Sequence, residues 1–146
     1  MRVDFYLVSR SSVPEAVALL AGKTVAAGRK LLIVSAGEAA RQDLSKSLWE
    51  ANPEGFLANG LAGGKHDARQ PVLLSEHVEP ANGAQFLLLA DGVWRDPGEA
   101  FERVMLVFDN TTIDGARTCW RQLGEDAAIE RHFWKQDESG RWVEGP

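Results

Sequence analysis

Four short apolar runs constrain this chain more than any other feature. They lie in Lys30–Ser35, Val72–Ser75, Phe86–Leu89 and Val104–Phe108. A strand with one wet face alternates apolar and polar residues. A run with almost no polar break belongs instead in a strand covered on both faces, as in a parallel sheet between layers. The opening segment, Val3–Val8, is rich in β-branched and aromatic residues and predicts a fifth strand.

The intervening segments read as helices. Ser11-Ser12-Val13-Pro14-Glu15 has a Ser cap, an early Pro and an acidic residue in the first turn. Val13, Val17, Leu20 and Thr24 follow at helical spacing, and Gly28 predicts the stop. A second helix is expected over Gly37–Trp49, with Ala40, Leu44 and Leu48 as its apolar stripe, broken by Asn52-Pro53-Glu54-Gly55. A Gly-rich loop then runs to Arg69. Ile113–Leu123 is helical in pattern, and His132–Lys135 and Arg141–Val143 flank Gln136–Gly140 as the arms of a hairpin. The expected fold is α/β. It is a three-layer α/β/α arrangement with a largely parallel five-stranded sheet, parallel in its first half, and a C-terminal hairpin-like extension. No repeat or linker divides residues 1–146, so one domain is expected.

Chemistry is sparse. Gly22-Lys23-Thr24 has the ending of a phosphate-binding loop, but Val17 stands where the first glycine belongs and the segment is helical in pattern. Gly64-Lys65 has Asn59 at that glycine position and His66 where Ser or Thr is required. There is no dinucleotide fingerprint or nucleophile elbow, and His66, His77 and His132 lack metal-ligand spacing. The single cysteine, Cys119, allows no internal disulfide and reads as a packed small hydrophobe. No cofactor and no metal are expected.

The formal net charge of −5 argues against nonspecific binding to nucleic acid, which needs an excess of Lys and Arg. No signal-peptide core opens the chain and no apolar run reaches membrane length, so a soluble cytoplasmic protein is expected.

Two aromatic constellations remain. Trp49 lies off the stripe of its helix, with Phe56 close behind it. They read equally well as interface anchors or as caps on the core edge. On the last helix Ile113, Ala116, Trp120 and Leu123 share a face, with Arg117 and Arg121 as a ridge on its flank. Arg131, His132 and Lys135 follow, interleaved with Phe133 and Trp134. Paired arginines above an aromatic floor suit an acidic peptide. The competing reading makes Trp120 core and the arginines a solvated face.

At this point the sequence resembles a family, the chi subunit of bacterial DNA polymerase III. The resemblance is carried by Asp4-Phe5-Tyr6-Leu7, Gly28 to Ile33, Leu48-Trp49 through Phe56 to Gly63, Pro71 to Leu74, Phe101 to Val104 and Ala116-Arg117 to Trp120-Arg121. The tail Phe133 to Trp142 is similar to proteobacterial members. The resemblance implies a noncatalytic adaptor with two binding faces. Trp49, Phe56 and Leu57 match the face for the psi subunit, which tethers chi to the clamp loader. Arg117, Trp120 and Arg121, with Val107 and Phe108 as lining, match the site for the acidic C-terminal tail of single-stranded DNA-binding protein. Family members also serve further partners through the same aromatic face, a helicase among them. Ile113 stands where some members are basic. A rival reading is a small α/β enzyme with a phosphate or nucleotide substrate at the Gly60–Lys65 loop, using His66 or Asp67.

Overall fold

The computed structural model describes residues 1–51 and 57–145. In chain order the elements are β1 (Arg2–Leu7), α1 (Val13–Ala26), β2 (Leu31–Val34), α2 (Glu38–Glu50), β3 (Asn59–Leu61), a 3-10 turn (Asp67–Arg69), β4 (Val72–Ser75), β5 (Phe86–Leu89), β6 (Arg103–Phe108), α3 (Ile113–Leu123), β7 (Glu130–Gln136) and β8 (Trp142–Glu144). The strands form one sheet in the order β3-β4-β2-β5-β6-β1-β7-β8. Every neighbouring pair is parallel except β7 with β8.

The α/β class is as expected, and the five apolar segments are all strands. The sheet is larger than predicted, with eight strands among the described residues, and its parallel character runs well past the first half. The expected C-terminal hairpin is present as β7 and β8, and it continues the main sheet beyond β1. Its first arm, β7, pairs in parallel with β1, setting Arg2 beside Glu130 and Leu7 beside Lys135. The central strands explain the apolar runs: all four residues of β2 are buried, and so are all four of β4.

Local chemistry sets the helix ends. The Ser12 hydroxyl accepts from the Glu15 amide at 3.2 Å, and the Glu15 carboxylate accepts from the Ser12 amide at 3.4 Å, a reciprocal N-terminal cap. At the other end Gly28 takes φ +78°, a conformation that only glycine adopts without strain. Its amide donates to Val25 and the Arg29 amide to Thr24, closing the helix.

Strand alternation divides the core. Tyr6, Leu31, Ile33, Met105 and Val107 face α1 and α2, whereas Phe5, Leu32, Val104, Leu106 and Phe108 face α3. The α2 stripe is narrower than predicted. Leu44 and Leu48 are buried, but Ala40 is exposed, because the first turn of α2 borders the open cleft at the carboxyl ends of the strands.

The face of β1 toward α1 carries an ion cluster. Asp4 is fully buried and accepts from Arg2 Nε at 3.0 Å, Arg103 Nε at 2.7 Å and Trp134 Nε1 at 2.9 Å. Arg103 also donates to the Tyr6 hydroxyl at 2.8 Å. Burial alone would raise the Asp4 pKa; the bonds from Arg2, Trp134 and Arg103 outweigh it and hold the carboxyl below its usual range.

A second charged group fastens the hairpin. His132 places Nε2 2.7 Å from Glu130 and Nδ1 2.7 Å from Glu144 on β8. Two carboxylate acceptors require both ring nitrogens to donate, so the imidazolium is favoured. The His132 pKa is accordingly raised above the ordinary 6.5, first by Glu130 and then by Glu144. A raised value means that the stabilisation is complete below pH 6.5 and is lost as pH climbs through the folded value. Amide exchange in Trp142–Glu144, corrected for intrinsic rates, should therefore quicken as pH climbs through the raised folded value, and His132→Gln should remove that pH step. Protection of β8 that ignores pH would refute the latch.

Candidate functional site

The amphipathic α3 lays Ala116 and Cys119 against the sheet and leaves Ile113, Trp120 and Leu123 partly buried at its margin. Between the helix and strands β1, β6 and β7 lies an open groove of about 370 Å³. Phe5, Leu7, Phe108 and Phe133 form its floor; Ile113, Ala116 and Trp120 line the helical wall; Arg117 and Arg121 complete the lining. The aromatic rings meet edge to face: Phe5 and Trp120 centroids lie 5.1 Å apart at 79°, and Trp120 and Phe133 lie 6.4 Å apart at 75°. Such packing makes the floor rigid before anything binds.

The arginine side chains remain available. Arg117 is 66% exposed, and among the described residues its ion pair is with Asp114 alone, at a loose 3.9 Å one turn back. Arg121 reaches the Thr118 hydroxyl at 3.5 Å, and among the described residues no carboxylate pairs with it. Two cations therefore stand beside an apolar trough, fitted to bind carboxylates and a large apolar side chain together. Cys119 is buried, and its thiol is pushed up to about 11 by that burial, so it is a protonated filler rather than a nucleophile.

The chain matches the family described as DNA polymerase III chi subunit, HolC, over residues 1–130. This protein belongs to the chi family. A search of the curated proteins found no match. Chi is a replication accessory subunit, and the matched span includes α3 and most of the groove, while Phe133 lies beyond it. Among the described residues no helix is long and apolar enough to cross a membrane.

Most residues singled out from this chi sequence for the tail site come together. Arg117, Trp120, Arg121 and Phe108 all line the groove. Val107 does not. It is fully buried on the α1 side of the sheet, because consecutive strand residues point to opposite faces and Phe108 already points toward α3. Sequence reasoning missed Phe5, Leu7 and Phe133 as floor, residues that only the β1–β7 pairing brings together. Ile113, noted for the charge it lacks, supplies apolar wall. The run Arg131 to Lys135 is split by the same alternation: Phe133 faces the groove, and Trp134 packs on the opposite face against Tyr6.

The residues expected for a second face are not gathered in one groove. Trp49, 43% exposed on α2, does not line the shallow groove of about 710 Å³ between α1 and α2, whereas the partly buried Leu57 does. The exposed Leu19 and the small residues Ala18, Gly22 and Ala26 of α1 line it too. Phe56 lies outside the described residues. In the Gly60–Lys65 loop the amides of Gly63 and Gly64 donate to the Asp67 carboxylate at 2.8 and 3.0 Å. Donors that a phosphate would need are thus held by the protein's own anion, and the rival enzymatic reading gains nothing from this geometry.

Proposed function

We propose that this chi-family chain is a noncatalytic adaptor that couples the clamp loader to protein-coated single-stranded DNA. The α3 groove takes the acidic C-terminal tail of single-stranded DNA-binding protein, and the α1/α2 face, through Trp49 and Leu57, takes the psi subunit. The observation that carries this reading is the open groove with an aromatic floor and two arginines that have little internal competition. Arg117 and Arg121 bind tail carboxylates while the trough receives the terminal aromatic ring. The two faces lie on opposite sides of the sheet, so one partner leaves room for the other. The role places the protein in the cytoplasm and requires no cofactor; a helicase is a further partner of the α1/α2 face.

The test is calorimetric titration with a short acidic peptide ending in Asp-Ile-Pro-Phe. Binding is expected to weaken steadily as salt rises, because the charges meet near solvent. Trp49→Ala should leave this titration unchanged and lose psi in a pull-down. No heat at low salt, or affinity indifferent to salt, would reject the tail site.

A further inference from the structure

We infer that Arg131 is a positioning residue that presets Trp120 for the groove, a role that deepens the adaptor reading and rests on it. Arg131 stands on β7 beside Val3 and two residues before Phe133, on the face toward α3. Its guanidinium carbon lies 4.3 Å from the Trp120 ring centroid, close cation–π contact. The same side chain donates from Nη1 to the Trp120 carbonyl at 2.7 Å. One planar group thus grips both the ring and the backbone of a single residue, in the last turn of α3, where a cation also suits the helix dipole. Arg131 itself does not line the groove, while Trp120 does. With the guanidinium against its face and Phe5 and Phe133 meeting it edge to face, the indole has little freedom to swing away from the trough.

Gly124 gives independent support. Its backbone, φ −66° and ψ −16°, is ordinary helical geometry that any residue adopts. Its lack of a side chain matters for space: a Cβ there would lie 2.6 Å from Arg131 Nη1 and 2.7 Å from its Cζ. The glycine clears the berth in which the guanidinium lies. Lysine is no substitute at position 131, because an ammonium has neither the planar face nor the fork of donors.

The experiment uses the full chain with Arg131→Lys, Arg131→Met and Gly124→Ala. It reads the Trp120 indole signal without peptide, assigned by its loss in Trp120→Phe, and the affinity for the Asp-Ile-Pro-Phe peptide across a range of salt. All three variants should shift the Trp120 signal and weaken binding by roughly fivefold to tenfold, the scale of one partly desolvated cation–π contact. The slope of log affinity against log salt should stay as in the wild type, since no ligand contact is lost. Gly124→Ala adds one methyl at an exposed helix end, so it remains informative even where an Arg131 variant folds poorly. Wild-type affinity in Arg131→Lys, an unmoved Trp120 signal in Gly124→Ala, or a shallower salt slope in Arg131→Met would overturn the assignment, the last by showing direct contact with the ligand. Should the wild type bind no peptide, the adaptor reading fails, and the Trp120 signal still decides whether the clamp exists.

Discussion

Replacing Asp4 with alanine is expected to cost about 3 kcal/mol of folding stability, the low end for breaking a buried ion pair. The carboxylate is fully buried and serves three donors from three strands: Arg2 on β1, Arg103 on β6 and Trp134 on β7. Its removal leaves two guanidinium groups and an indole N–H without their acceptor. The penalty stays at the low end because the Arg2 and Arg103 side chains, 40% and 25% exposed, recover some hydration. For a chain of this length the melting midpoint should fall by roughly 6–12 °C. The pH dependence has a definite sign. A carboxyl held below its ordinary value contributes stability that is complete above that value and lost as acid carries the pH through the folded value. Asp4→Ala should therefore both lower the plateau near neutrality and flatten the acid side of the stability curve. Urea melts showing a loss under about 1 kcal/mol at pH 7 would mean that the cluster is a solvated surface network.

The cluster also shows why parts of the fold were legible in the sequence and others were not. Burial on both faces leaves a local mark, so β2, β4, β5 and β6 announced themselves as apolar runs, and the cap at Ser12 and the stop at Gly28 bounded α1. Pairing between residues some 130 positions apart leaves no such mark. Glu130–Gln136 mixes charged and aromatic residues, which suggested a hairpin arm but gave no hint of a parallel partner in β1. The three-residue β3, with a glycine at its centre, has no pattern to read at all. At the site, helix periodicity put Trp120 on the apolar face of α3 with Arg117 and Arg121 as a ridge on its flank, and all three line the groove. The errors came from strands, where a one-residue step reverses direction, as Val107 and Phe108 illustrate. Arg131 was legible only as one more basic residue. Its hold on Trp120 depends on β7 lying against the end of α3, a consequence of topology.

Arg117→Glu should abolish binding of the acidic tail peptide while leaving the melting curve unchanged. Loss of one charge-assisted hydrogen bond costs about 1.5–3 kcal/mol, or roughly 10- to 150-fold in affinity. Reversal adds repulsion against the carboxylates of the ligand and places a second acid one turn from Asp114, so the loss should exceed that of simple removal. The fold has little stake in this side chain: it is 66% exposed, its ion pair with Asp114 is long, and exposed pairs of that kind contribute at most about 1 kcal/mol. Arg117→Ala should lie between wild type and Glu, which separates loss of attraction from gained repulsion. Arg121→Glu should act in the same direction, since its guanidinium lines the same groove. Wild-type affinity in Arg117→Glu, with an unaltered melt, would move the acidic ligand off α3 and leave the trough as a purely apolar surface.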